Sequence, residues 1–315
     1  MVELKAVFQT NFNLLMKLYP VCIIAAVLAA IVMTSCSKET IETNSGNTIT
    51  LTSLTATTAP EAQDTKTILD GNTLKSSWLA GDAINVFFGA SESSKFVCQT
   101  SGEIAQFKGS IDVVTGGGEG LTDDTSLWGV YPYNSNTSCD GTTITLSLPG
   151  EQQAKADTYA DDLFPTIARS QNFYLSFYNV CGSFRFTVTN PDIVKVTVKG
   201  NNGENIAGKA RVSMNGRPEV SAVINPVQEI TMSAPDGGCF EVGKTYYFAL
   251  YPTNFQSGFT LTFYKENSKA EFIYSSAYNL KRNVFTMLRD KDKGLVFNNI
   301  SIKDWEEGEK IEGEI

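Results

Sequence analysis

From residue 48 onwards the chain consists of short stretches in which apolar and polar residues alternate. The first stretch, residues 48–56, is rich in threonine and in branched apolar residues. A period of two places the apolar side chains on one face, so this stretch is expected to be a half-buried β-strand. No segment after residue 40 shows a long period of 3.6 residues, which predicts a protein built of strands.

The same pattern predicts further strands, separated by turn-forming Gly, Asn, Asp and Ser. They cover residues 84–88, 126–131, 142–148, 174–180, 183–189, 194–198, 246–251, 259–264 and 271–275. Residues 199–203 (Lys-Gly-Asn-Asn-Gly) are expected to form a hairpin turn. Residues 152–164 are the best candidate for a short helical stretch or a loop.

Many short strands with turns between them favour an all-β fold of two tandem β-sandwich domains. Pro191 interrupts the strand pattern, because proline cannot donate to a strand ladder. We therefore expect an N-terminal sandwich over residues 48–190 and a C-terminal one over residues 191–315. An internal echo supports two related halves, since Leu127-Trp-Gly-Val-Tyr-Pro-Tyr-Asn134 resembles Phe248-Ala-Leu-Tyr-Pro-Thr-Asn254. Coincidence is the alternative.

The N-terminus carries an apolar run at residues 21–32, too short to span a bilayer comfortably but suited to a signal peptide. Translation is expected to start at Met16, with Lys17 as the basic flank. The run ends at Met33-Thr-Ser-Cys36, which is similar to a bacterial lipobox. Residues 1–35 are thus predicted to be a signal peptide, Cys36 the acylated first residue, and residues 36–47 a flexible tether. A secreted protein with a plain cleavage site is the closest alternative.

Charge and composition exclude several classes of function. The chain has a net charge of −9. Removal of residues 1–35, which hold two bases and one acid, leaves −10. An acidic surface repels phosphate backbones, so no nucleic-acid partner is expected. The chain has no histidine, which excludes Ser-His-Asp and Cys-His catalysis and His-ligated metal sites. We expect neither an enzyme nor a cofactor.

Two further sets of residues have ordinary structural explanations. Cys98, Cys139, Cys181 and Cys239 are widely spaced and lack a C-x-x-C pair, so zinc is not expected and no disulfide is predicted. The neighbouring carboxylates Asp161 and Asp162 could serve a glycosidase only if they faced each other across a sugar. Adjacent residues of a strand point apart, so a solvated loop is the preferred interpretation.

Several motifs in a fixed order resemble the fimbrillin family of Bacteroidetes, which comprises type V pilins and minor subunits derived from lipoproteins. The motifs after Cys36 are Thr65-Lys-Thr-Ile-Leu69, Trp78-Leu-Ala-Gly-Asp-Ala-Ile-Asn-Val-Phe87, Val130-Tyr-Pro-Tyr-Asn134, Phe177-Tyr-Asn-Val-Cys-Gly-Ser-Phe-Arg-Phe186, Ile206-Ala-Gly208, Gly243-Lys-Thr-Tyr-Tyr-Phe-Ala-Leu-Tyr-Pro252 and Ile302-Lys-Asp-Trp305. Each motif alone is a generic strand and turn, whereas the ordered set covers nearly the whole chain.

The resemblance implies two transthyretin-like or immunoglobulin-like sandwiches behind a lipoprotein signal peptide, with palmitate among the acyl chains at Cys36. It also implies surface display on the cell outer membrane and partnership with other fimbrial subunits. In that scheme proteolysis removes the first strand of the N-terminal domain, and a neighbour's strand fills the groove by β-augmentation. The exchanged strand would contain Thr48, Ile49, Leu51 and Leu54.

One departure from the family leaves two outcomes open. Relatives are commonly cut after an early arginine, whereas the first arginine of this chain is Arg169. A cut at Lys38 or Lys66 would release a polymerising stalk subunit. An uncut chain would keep Cys36 and its own first strand, as an anchor or another surface component would.

The alternative function is a lipid-anchored protein that binds a host protein or glycan. Trp78, Trp128 and Trp305 could stack on sugars if they were exposed. Trp128 lies in an apolar strand and is expected in the core, and Trp78 is expected in the core or at its rim.

N-terminal analysis of the protein from native envelopes tests the lipoprotein prediction. We expect mass spectrometry to find an acylated peptide that begins at Cys36, because the lipobox directs cleavage there. Acyl chains would hold the protein on the membrane, since each buried methylene adds about 0.8 kcal/mol. A free N-terminus further along the chain would instead show processing into a polymer, and a peptide that retains residues 21–35 would refute the signal.

Overall fold

The computed structural model describes residues 41–43, 48–58, 68–69, 76–115, 121 and 125–300. The strands of the first part of the chain are β1 (Ile41–Thr43), β2 (Thr48–Thr58), β3 (Ile68–Leu69), β4 (Ser76–Ser77), β5 (Ala83–Phe88), β6 (Ser94–Cys98), β7 (Ile104–Val114), β8 (Leu127–Tyr131) and β9 (Ser138–Cys139). The strands of the middle part are β10 (Thr143–Leu148), β11 (Glu151–Lys155), β12 (Thr158–Tyr159), β13 (Thr166–Ser170), β14 (Tyr174–Asn179), β15 (Gly182–Phe186), β16 (Lys195–Gly200), β17 (Ala207–Asn215) and β18 (Arg217–Val227).

The last strands are β19 (Glu229–Ser233), β20 (Tyr246–Leu250), β21 (Thr253–Phe255), β22 (Phe259–Tyr264), β23 (Ser268–Tyr274), β24 (Tyr278–Leu280), β25 (Phe285–Leu288) and β26 (Asn298–Asn299). One 3-10 turn at Pro235–Gly237 is the only helical element within the described residues. The expectation of an all-β fold is confirmed. No helix in the described ranges is long and apolar enough to cross a membrane.

The first sheet closes on itself. Its strands lie in the order β1, β2, β14, β13, β8, β5, β6 and β7, and β2 also pairs with β7. The interior is centred on Trp78, whose ring meets Phe107, Phe177 and Tyr131 edge-on at centroid distances of 4.9, 5.1 and 5.6 Å. Edge-to-face contacts of this kind add to the burial of apolar area. All four side chains lie in one buried core.

A second core lies among three further sheets and the outer face of the first sheet, which contributes Trp128 and Ile167. The orders of the three further sheets are β12-β11-β19-β16-β22-β23-β26, β18-β17-β10-β9 and β20-β15-β25. Each sheet contributes buried apolar side chains, for example Val198 from the first, Val212 from the second and Phe184 from the third. Sheets that bury apolar faces against one another form sandwich-like layers.

Strand pairing crosses the point at which the sequence divides the chain. β10 pairs with β17 along six residues, from Thr143 opposite Ser213 to Leu148 opposite Gly208. β15 lies between β20 and β25. The sheets of the second core therefore contain strands from both sides of residue 190. The domains 48–190 and 191–315 stay a prediction, while the sheets themselves are not divided there.

Two local expectations differ from the structure. The first part of residues 152–164 lies in β11 and β12, so the helical alternative is wrong for that part. The alternation of Gln152 and Ala154 with exposed neighbours explains the strand. Residues 200–203 do form a turn, closed by the Gly203 N–H on the Gly200 carbonyl at 3.3 Å. It is not a hairpin, because β16 and β17 belong to different sheets.

The four cysteines of the described ranges are free thiols. Cys98 and Cys181 are buried, and burial raises the pKa of Cys181. Burial also raises the pKa of Cys139, to about 11. Cys139 and Cys181 are therefore protonated at neutral pH, and the buried Cys181 acts as a small apolar side chain.

A buried carboxylate holds the segment that the sequence marks as a linker. Asp292 is only 3% exposed. It accepts hydrogen bonds from the backbone N–H groups of Thr189 and Asn190, both at 2.8 Å, and from the Thr189 hydroxyl at 2.9 Å. Nearby, the Thr187 hydroxyl donates to Asp290 at 2.6 Å. The segment before Pro191 is therefore fixed to the chain about 100 residues later.

Replacement of Asp292 by asparagine is expected to lower the free energy of unfolding by about 1–3 kcal/mol, because the amide nitrogen that replaces one carboxylate oxygen cannot accept a hydrogen bond and the charge that strengthens the other bonds is lost. Urea denaturation followed by tryptophan fluorescence measures the change. The matched control is Asp236→Asn, at an exposed position, which should change the stability by no more than about 0.5 kcal/mol. Equal effects of both substitutions would contradict the role of Asp292.

Candidate functional site: the strand that closes the first sheet

β2 is the strand that the fimbrillin resemblance predicts to be exchanged. Its threonines favour extended backbone, and its apolar residues face the first core. Leu51, Leu54 and Ala56 are fully buried, and Ile49 is nearly so. Thr48 and the other threonines of the strand lie on the half-buried opposite face. The four residues predicted for the exchanged strand thus all lie on β2.

The apolar positions of β2 change phase between Leu51 and Leu54, where the strand is irregular. The register against β7 shifts there, since Leu51 faces Ile111 and Ser53 faces Lys108. Gly109 lies in this bulge, and a Cβ atom on it would come within 2.5 Å of the Phe96 ring. The absence of a side chain lets Phe96 fill that space. The bulge therefore keeps apolar side chains pointing inward on both of its sides.

β2 has partners on both edges. It runs antiparallel to β7 from Thr48 to Thr57 and parallel to β14 from Thr55 to Thr58. At residues 49–51 its other edge pairs with β1. No pairing joins β7 to β14 in the described part of the chain, so β2 alone bridges them.

Loss of β2 would open a groove with two kinds of unsatisfied surface. The ladder edges of β7 and β14 would lose their partners, and unpaired edges readily accept another strand. The apolar side chains of the core, Phe107 and Phe177 among them, would lose the cover of Leu51 and Leu54. An extended segment with the same apolar spacing would pair with both edges and cover the apolar side chains again.

The processing and lipidation residues lie outside the described ranges. Cys36 and Lys38 belong to residues 1–40, and Lys66 belongs to the stretch 59–67 that follows β2 in the sequence. Lipidation at Cys36 and a cut at Lys66 both stay predictions.

The tryptophans do not form a sugar platform in the described structure. Trp78 and Trp128 are completely buried, as expected for core residues. Trp305 lies outside the described residues.

The adjacent carboxylates have separate partners. Asp161 pairs with Lys155 at 2.9 Å, and Asp162 accepts a hydrogen bond from the Tyr131 hydroxyl at 3.0 Å. Burial and the carboxylates of Asp82 and Asp162 raise the pKa of Tyr131, so the phenol remains a donor. The described residues contain no cluster of acid, cysteine or histidine side chains that could hold a metal ion.

Comparison with known proteins finds no matching family model and no matching curated protein. Among solved structures, a proposed cell adhesion protein from Bacteroides uniformis is similar at 14% identity and a TM-score of 0.46, over 79% of this chain and 96% of that one. A proposed cell adhesion protein from Bacteroides ovatus is similar at 14% identity and a TM-score of 0.45, over 78% of this chain and 93% of that one. A fimbrial protein from Bacteroides ovatus is similar at 13% identity and a TM-score of 0.33, over 75% of this chain and 47% of that one.

Truncation of Leu54 to alanine is expected to lower the free energy of unfolding by about 2–5 kcal/mol, because it leaves a cavity under the closing strand. The neighbouring substitution Ser53→Ala is the control, since Ser53 lies on the half-buried outer face. Its effect should stay below about 0.5 kcal/mol. Urea titrations of both variants measure the difference, and a loss under 1 kcal/mol at Leu54 (roughly one buried methylene) would show that β2 closes the sheet only loosely.

Proposed function

We propose that the chain is a fimbrillin-like lipoprotein of the cell surface, a structural or adhesive component of a pilus that assembles by strand exchange. One observation carries the proposal. A single strand near the N-terminus, β2, bridges two strands that have no pairing with each other in the described structure. The ordered motifs that resemble fimbrillins give the same expectation independently.

The position of β2 suits removal by a protease. The stretch 59–67, which contains Lys66, follows the strand directly in the sequence. A cut there would leave β2 attached only by noncovalent contacts, chiefly its two ladders and its buried leucines. Those contacts can be replaced, residue for residue, by an equivalent strand of a neighbouring subunit.

The fate of Cys36 decides which component this chain is. A cut at Lys66 separates the acylated N-terminus from the folded body and leaves a stalk subunit. An uncut chain stays on the outer membrane with its sheet already closed, which suits an anchor or a tip. The lack of any arginine before Arg169 favours the uncut form, because the early arginine of the family is missing.

A peptide-exchange experiment tests the groove. The chain is cut near Lys66 with trypsin, β2 is released in denaturant, and the refolded body is titrated with a labelled peptide of residues 48–58. We expect saturable binding measured by fluorescence anisotropy. A peptide with Leu51→Asp and Leu54→Asp should bind at least about 100-fold more weakly, because two buried apolar contacts are lost.

Two outcomes would contradict parts of the proposal. Equal binding of both peptides would show that no specific groove exists, and strand exchange would then be refuted. If the cut protein remains strictly monomeric while the peptide binds, the stalk role is refuted and the anchor or tip role remains.

A further inference from the structure

A polar cleft of about 490 Å³ lies on the outer side of the first sheet. Ser126, the end of β13 and the outward side chains of β14 form its floor, and the turn between β17 and β18 forms its other wall. Gly216 makes this turn with φ +74°, a conformation that glycine adopts without steric cost. A volume of this size suits one or two sugar rings.

Arg169 supplies the charge of the cleft. It stands opposite Trp128 in the ladder between β13 and β8, and its guanidinium lies 5.0 Å from the centre of the Trp128 ring. Its Nε donates to the Ser126 hydroxyl at 3.1 Å, and its Nη1 donates to the Met214 carbonyl at 3.4 Å. The ring and these two bonds hold the guanidinium in one orientation.

The remaining donors of Arg169 are available to a ligand. A guanidinium has five N–H groups, of which the two bonds to protein atoms use two. Among the described residues no carboxylate pairs with Arg169, and the lining of the cleft contains no acidic residue. An arginine that is fixed but lacks a counter-ion is suited to bidentate recognition of a carboxylate.

Neutral groups and an aromatic ring complete the site. The side chains of Ser176 and Asn215 line the cleft and make no hydrogen bond within the described structure. The half-buried ring of Tyr178 lines it too, and the guanidinium of Arg217 lies 4.4 Å from the centre of that ring. Hydroxyl and amide groups pair with sugar hydroxyls, and the aromatic ring supplies an apolar surface at the edge of the cleft.

We propose that this cleft binds a sugar unit that bears a carboxylate, such as a uronic or sialic acid at the end of a glycan. The carboxylate would accept hydrogen bonds from the remaining N–H groups of Arg169. The ring hydroxyls would form hydrogen bonds with the side chains of Ser176 and Asn215. The chain as a whole is acidic, so a general attraction of anions does not explain such a site. None of these residues lies on β2, but Ser176 of β14 stands opposite Thr57 of β2, so the test uses the chain with β2 in place.

Binding to the full mature chain tests the site. Glucuronic acid and N-acetylneuraminic acid are titrated by calorimetry and by saturation-transfer NMR, with glucose as the neutral probe and inorganic phosphate as the competing anion. We expect saturable millimolar binding of at least one acidic sugar and none of glucose. Arg169→Gln should weaken it at least about tenfold, since a charged hydrogen-bond pair is lost.

Matched variants separate a direct role from a loss of folding. Arg211→Gln removes the same charge from an exposed position of β17 outside the cleft and should change the affinity less than about twofold. Asn215→Asp adds a carboxylate at the exposed turn and should weaken binding about as much as Arg169→Gln, by repulsion. Thermal unfolding confirms that each variant is folded.

Three results would overturn the inference. They are the absence of saturable binding of either acidic sugar up to tens of millimolar, an equal loss in Arg211→Gln, and binding of phosphate as tight as that of the sugars.

Discussion

The pairing of both edges of β2 is the constraint on which the first sheet depends. A buried sheet edge must find partners for its N–H and C=O groups, and β2 supplies them to β7 and to β14 at once. The same strand places Leu51 and Leu54 over the aromatic cluster around Trp78. Backbone pairing and core packing therefore depend on one segment of 11 residues.

The second core depends on contacts between distant parts of the sequence. β10 and β15 leave the first part of the chain to join sheets whose other members come much later. The carboxylate of Asp292 then fixes Thr189 and Asn190 where the chain continues toward β16. These contacts make the region around Pro191 a fixed part of the fold. No strand of the three sheets around this core pairs with β2, so an exchange of β2 would leave the ladders of those sheets in place.

Sequence patterns predict strands well where an apolar run or an apolar alternation is unbroken. β8, β10 and β22 all lie within a residue of their expected bounds, since each has an unbroken apolar face. The sequence pattern does not predict β7, because Gly109, in the bulge against β2, occupies an inward position of the strand and leaves a gap in its apolar alternation. The sequence pattern does not predict β18, because this strand carries Pro218 and Pro226 and is largely exposed. The turn at residues 200–203 is visible locally, but the sheet that the next strand joins is decided by contacts far along the chain.

The polar cleft shows the same limit at the level of function. The sequence suggests sugar binding through exposed tryptophans, and the apolar neighbours of Trp128 place it correctly in the core. The sequence does not predict which residue contacts that ring. Arg169 stands opposite Trp128 only because β13 pairs with β8, and the two residues are 41 positions apart in the chain. The buried indole then stabilises the guanidinium that faces the cleft, through a cation–π contact. Long-range register, more than residue type, creates the one fixed arginine without a carboxylate partner at this site in the described structure.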